Sequence, residues 1–193
     1  MNKFSKMILA TTALIAVSST ANAAVNGLSP YVRGNLQYLF SSNEDARVSG
    51  VKFNSDEEAG LGISGAVGTK LLNDFRVEAE VLYFATEIEN TNTDIDNLAF
   101  MVNGYYDLKT STKFTPYVGA GIGLANIEVD APAYRNSDNV FAYQALVGVS
   151  YELDKNSSVT AGYRYFGTQD SEYNGIKRTY GKNVLEVGYR YSF

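Results

Sequence analysis

The last eleven residues, Asn183 to Phe193, constrain the fold more than any other stretch of the chain. Side chains alternate with period two along a strand, so Leu185, Val187, Tyr189, Tyr191 and Phe193 share one face. Val184, Glu186, Gly188, Arg190 and Ser192 share the other. One face is wholly apolar and ends in aromatic residues. A strand of this length, apolar on one side and polar on the other, suits two settings. It can be an edge strand over a soluble core, or it can stand in an outer-membrane barrel with its apolar side toward lipid and its polar side toward the lumen.

The N-terminus favours export. Lys3 and Lys6 precede the largely apolar stretch Met7 to Val17, and Ala21-Asn22-Ala23 is a small-x-small cleavage sequence. This is the anatomy of a secretory signal peptide over 1–23, cleaved after Ala23, with a barrel domain over 24–193. The apolar stretch is too short for a helical anchor, which needs about 20 residues. No later stretch is long and apolar enough for a spanning helix, so a membrane span would have to be built from strands.

Losing the two signal-peptide lysines leaves 14 basic against 21 acidic side chains, a formal charge of −7. An exported chain this acidic is not expected to bind nucleic acid by charge. Cysteine is absent, which excludes disulfides, thiolate chemistry and Cys-based metal sites. Histidine is absent too.

From Ser29 onward the chain reads as alternating segments at 31–40, 59–70, 75–85, 96–108, 114–127, 140–151, 158–166 and 183–193. The connections run long, short, long, short, long, short, long: 41–57, 71–74, 86–95, 109–113, 128–139, 153–156 and 167–181. Short turns at one end and long loops at the other are the rhythm of an eight-stranded antiparallel up-and-down transmembrane β-barrel. A lipocalin has as many strands but an apolar interior. In this chain the polar face carries charges in several strands, so it is expected to line the lumen, and the apolar face is expected to meet lipid.

The segments Phe114-Thr-Pro-Tyr-Val-Gly-Ala-Gly-Ile-Gly-Leu-Ala125, Ala142-Tyr-Gln-Ala-Leu-Val-Gly-Val-Ser-Tyr151 and Val187-Gly-Tyr-Arg-Tyr-Ser-Phe193 resemble the OmpA-like, opacity-type barrel and surface-antigen families. The resemblance spans the mature chain. It implies a bacterial outer-membrane location and recognition of the terminal strand, through Tyr189, Tyr191 and Phe193, by the barrel-assembly machinery. Relatives of this kind serve as adhesins, surface antigens, small pores or structural proteins. Unlike full-length OmpA, this chain is expected to carry no peptidoglycan-binding domain.

Sharper chemical readings have simpler competitors. Gly119-x-Gly121-x-Gly123 has a phosphate-loop look, yet its period of two within a strand points to space-making inside a narrow barrel. Glu78 and Glu80 could be an acid–base pair, but buried arginines explain two carboxylates on one strand face better. The loop acids Asp56, Glu57, Glu58, Glu87, Glu89, Asp94 and Asp96 lack EF-hand spacing and read as solvated charge rather than a calcium site. No cofactor or metal is expected. With no histidine to act as a base, an enzyme is not expected either.

The expected site is therefore the lumen. Arg33, Arg76, Arg164 and Arg190 balance Glu78, Glu80, Asp107 and Glu186, with Arg76–Asp107 and Arg164–Glu186 at similar heights on neighbouring strands. The expected function is a non-enzymatic outer-membrane surface barrel, structural or antigen- and adhesin-like. Its external loops would contact host or neighbouring surface molecules. The alternative is a small porin passing ions or small solutes.

Overall fold

The computed structural model describes residues 29–40, 46–48, 51–53, 60–72, 74–88, 93–131, 134–169, 171–173, 176–178 and 181–193. The expected signal peptide with its cleavage point, and the loop acids Asp56, Glu57, Glu58 and Glu89, lie outside these residues.

Eight strands close a barrel: β1 (Ser29–Phe40), β4 (Gly60–Leu72), β5 (Phe75–Ile88), β6 (Thr93–Asp107), β7 (Phe114–Ala131), β8 (Tyr134–Glu152), β9 (Ser157–Thr168) and β12 (Gly181–Ser192). Two short hairpins stand between them, β2 (Ala46–Val48) with β3 (Val51–Phe53) and β10 (Ser171–Tyr173) with β11 (Ile176–Arg178). Every barrel strand pairs antiparallel with its sequence neighbour in the barrel. The first and last strands close the ring, with Arg33 opposite Arg190 and Leu36 opposite Val187. Closure leaves no unpaired edge, as a hydrocarbon surround requires. Among the described residues no helix is long and apolar enough to cross a membrane.

The strands obey the expected alternation. In β12, Leu185, Val187, Tyr189 and Tyr191 are exposed, while Val184, Glu186 and Arg190 are buried. Leu36, Leu61, Val102, Ile122, Leu124 and Val187 project outward with more than half of their surface uncovered. In a bilayer that surface meets acyl chains. At the turn end the outward positions become aromatic. Phe75 and Tyr106 pack at a tilt with ring centres 5.0 Å apart, Phe114 and Tyr151 likewise with centres 4.8 Å apart. Amphipathic rings at this height form an interfacial girdle.

The turn ends are tied by backbone and short side chains. Asp154 accepts hydrogen bonds from the backbone N–H groups of Asn156 (2.8 Å) and Ser157 (2.9 Å). The Asn156 N–H above all, with that of Ser157, holds the exposed Asp154 carboxyl below the usual carboxylate range. Asn156 Nδ2 donates to the Ser192 carbonyl at 2.7 Å, and the Phe193 N–H donates to the Pro30 carbonyl at 3.0 Å. The C-terminus is thereby fastened to the turn rim beside the start of β1.

Two expected boundaries are corrected. Residues 86–95 and 128–139, read from their polarity as loops, mostly continue the strands: β5 runs to Ile88, β6 begins at Thr93, and β7 and β8 pair as far as Ala131 opposite Tyr134. These stretches are polar at most positions, so the apolar alternation that marks a strand disappears while the backbone pairing persists.

Candidate functional site: the barrel lumen

The inward register of six strands delivers charged and amide side chains to one narrow space, and these side chains are almost completely buried. Arg33, Arg76, Arg164, Glu78, Glu80 and Asn103 are each covered to 98% or more. A buried ion without a partner costs several kcal/mol, and the geometry shows which partners each finds, although Arg33 Nε itself has none.

Near the turns, Arg76 Nε lies 2.8 Å from Asp107 Oδ2 and 3.0 Å from Oδ1. Arg76 Nη1 reaches Glu78 Oε1 at 3.0 Å, and the Tyr31 hydroxyl donates to the same oxygen at 2.7 Å. The Arg76 guanidinium also lies over the rings of Tyr105 (4.5 Å) and Tyr117 (5.4 Å). Desolvated cation–π contacts of this kind are worth about 2 kcal/mol or more.

Higher in the barrel, Arg164 Nη2 sits 2.7 Å from both Glu80 Oε1 and Glu186 Oε2. Gln144 and Asn103 complete the shell. Arg164 Nη1 donates to Gln144 Oε1 at 2.9 Å, and Asn103 Nδ2 donates to Glu80 Oε2 at 2.8 Å. Arg33 stands between the two groups, 2.7 Å from Glu78 Oε2, 3.7 Å from Glu186 Oε1 and 4.0 Å from Glu80 Oε1.

Strand register explains the two close pairs. Arg76 faces Tyr105 across β5 and β6, and Asp107 lies two residues further along. Arg164 faces Val184 across β9 and β12, and Glu186 again lies two further. The same diagonal offset, within reach of long side chains, recurs on opposite halves of the barrel.

Arg190 departs from the expected carboxylate pairing. It donates to Ser158 Oγ at 3.1 Å and Ser150 Oγ at 3.0 Å, and its guanidinium lies 5.5 Å from the centre of the Tyr31 ring. Among the described residues no carboxylate lies within ion-pair distance of it. Arg190 lies near the turn rim, two residues before the end of β12, and keeps some exposure, 6%.

A second departure concerns the end opposite the turns. There the inward register becomes apolar: Leu39, Leu82, Phe84, Ala99, Met101, Ala125, Ala142, Phe166 and Val184 form one buried cluster. Phe84 and Phe166 meet edge to face at 5.5 Å. The expectation of a polar lumen throughout fails at this level. The signal was present in Leu82 and Phe84, which continue the register of Arg76, Glu78 and Glu80, and in Val184, which continues that of Glu186 and Arg190.

The glycines of β7 and β8 make room for rings. A Cβ at Gly119 would stand 2.5 Å from the Tyr105 ring, and one at Gly148 would stand 2.5 Å from the Tyr117 ring. Phosphate binding has no support in this geometry, since the stripe lies within a strand. Among the described residues no group of carboxylates is placed to hold a metal ion. Tyr189, Tyr191 and Phe193 stay on the outer face at the turn rim, with the Tyr191 and Phe193 rings edge to face at 5.4 Å.

A closed antiparallel barrel with ion pairs inside and an apolar belt outside defines a bacterial outer-membrane barrel protein. The chain belongs to the family described as outer membrane protein beta-barrel domain, whose model matches residues 9–193. Outer membrane protein PagN of Salmonella typhimurium is 35% identical over 86 residues, covering 39% of this chain and 36% of that protein. Major surface antigen 4 of Anaplasma marginale is 35% identical over 98 residues, covering 50% of this chain and 32% of that protein. The matched regions thus span about a third of each of these relatives. The crystal structure of Neisserial surface protein A shares the fold, with a TM-score of 0.63 at 21% identity over 87% of this chain and 98% of that one.

Proposed function

We infer that the protein is a non-enzymatic display barrel, a filled scaffold that holds external hairpins at the cell surface for contact with other molecules. The filled lumen carries this reading. Ion pairs occupy its middle and turn-side levels, and an apolar layer occupies the level toward the long connections. Eight strands enclose only enough space for side chains, so the interior serves rigidity rather than passage.

What a rigid scaffold displays is its loops. The strands of β5–β6 and β7–β8 continue as paired hairpins toward their tips at 89–92 and 132–133. Residues 86–96 carry Glu87, Glu89, Asp94 and Asp96 and no basic residue. A partner of these hairpins is therefore expected to be cationic or neutral rather than a polyanion. The surface-antigen name of one relative supports display at the surface.

Epitope insertion tests the reading. A peptide tag placed between Pro132 and Ala133 should be labelled by antibody on intact cells, whereas the same tag in the turn 109–113 should be labelled only after the outer membrane is opened. Labelling of the turn tag on intact cells, with the hairpin tag silent, would overturn it.

A further inference from the structure

The outer face of the barrel is not uniformly covered. Two successive rows of outward residues run across β4, β5, β6 and β7: Val67, Ala79, Val102, Ile122 and then Gly65, Val81, Phe100, Leu124. Each row has one position without bulk, Ala79 in the first and Gly65 in the second. Gly65 is buried although its register is outward, while Phe100, Val102 and Leu124 stand up beside it with more than half of their surface exposed. The result is an apolar groove of about 510 Å³, within the range of roughly 300–1,000 Å³ typical of small-molecule sites. On the β1 side Gly34 faces Gly65, and a Cβ at Gly34 would find open space.

The groove's height identifies its solvent. On β5 it centres on Ala79 and Val81, between Phe75 at the turn girdle and Tyr83 toward the long connections. At about 3.4 Å per residue, Ala79 lies roughly 14 Å along the strand from each ring. The groove is continuous with the lipid-facing belt and lies within the hydrocarbon layer, where acyl chains are the available matter. The charged side chain nearest to it, that of Glu80, turns inward onto Arg164 and is fully covered, so no headgroup charge is matched here.

We propose that this groove is a binding site for one acyl chain of a glycerophospholipid. A phospholipid has two chains that can part, leaving one in the groove and the other in the bilayer. On neighbouring faces Leu36, Leu61, Val147 and Val187 project with half or more of their surface exposed. In the groove a chain meets walls as well as a floor, and dispersion contacts rise with each atom enclosed. The chain seated there is therefore held more tightly than the surrounding annulus.

Native mass spectrometry of the full chain, refolded in detergent with palmitoyl-oleoyl phosphatidylethanolamine, tests the proposal. The wild type should retain one phospholipid per barrel after mild activation. Ala79→Leu, which fills the groove from its floor, should lose that adduct, while Val147→Leu on another face should keep it. Heat-modifiable gel migration shows that each variant is folded. Should Ala79→Leu fail to fold, Gly34→Leu, which extends into open space toward the groove, should reduce the adduct instead. Equal retention in the groove variants and Val147→Leu would overturn the site. Absence of any adduct in the wild type would do the same, as would a wild-type dimer that Ala79→Leu dissolves, since the occupant would then be a second copy.

Discussion

Arg33 shows how charge is held inside so small a space. It has a close partner in Glu78 and two distant ones in Glu186 and Glu80, so it joins the turn-side group around Arg76 to the upper group around Arg164. Side chains that share partners do not act independently. Asp107→Ala removes the oxygens facing Arg76 Nε, and breaking a buried pair in this way typically costs about 3–5 kcal/mol. The double change with Arg76→Ala should cost less than the two single changes added together, measured by urea unfolding of the refolded barrel in bilayers. Additive losses would show that the pair is not coupled. At Gly119 the constraint is steric. Gly119→Val should destabilise the barrel by about 1–3 kcal/mol, because the added carbons meet the Tyr105 ring. The charged residues were legible in the sequence because charge on a strict period of two has few explanations. The serine partners of Arg190 were not, since Ser150 and Ser158 come from two other strands and nothing local marks them.

Among the elements, β12 has two tasks. It closes the ring against β1 and ends on an outward aromatic row at the turn rim. Its proposed role in assembly rests on that row. Phe193→Ser should lower outer-membrane yield far more than Ser192→Ala, scored by immunoblot of fractionated membranes, and equal yields would remove the row from any assembly role. The strands themselves could be read because lipid on one side and a crowded lumen on the other force alternation. Their outer ends could not. Thr86 to Ile95 looked like a loop because its sequence is largely polar and lacks apolar alternation, yet its ends continue β5 and β6. The hairpins β2–β3 and β10–β11 escaped notice for the same reason. The inward apolar layer was missed differently. It takes only one or two residues from each of several strands, such as Leu39, Phe166 and the pair Leu82 and Phe84, so in each strand it reads as the tail of a polar face. With the paired hairpins in place, removing the tip residues 89–92 and rejoining β5 to β6 should leave heat-modifiable folding intact, since closure entropy changes slowly with loop length. Loss of the folded gel form would show that the tip is needed for the barrel to close.

At the scale of the molecule the lumen is layered. Arg190 and the Arg76 group lie toward the turns, the Arg164 group lies above them, and the apolar layer with Phe84 and Phe166 lies toward the long connections. An ion crossing this interior would have to break buried ion pairs and then pass a layer that offers it no ligand. The filled lumen is what separates a display barrel from a small pore, and single-channel recording of the refolded chain in planar bilayers measures it directly. The wild type should show no steady conductance, and a variant combining Phe84→Ala, Phe166→Ala, Glu80→Ala and Arg164→Ala should show measurable ion flow. A steady, sizeable conductance in the wild type would contradict the filled lumen and put the pore reading in its place.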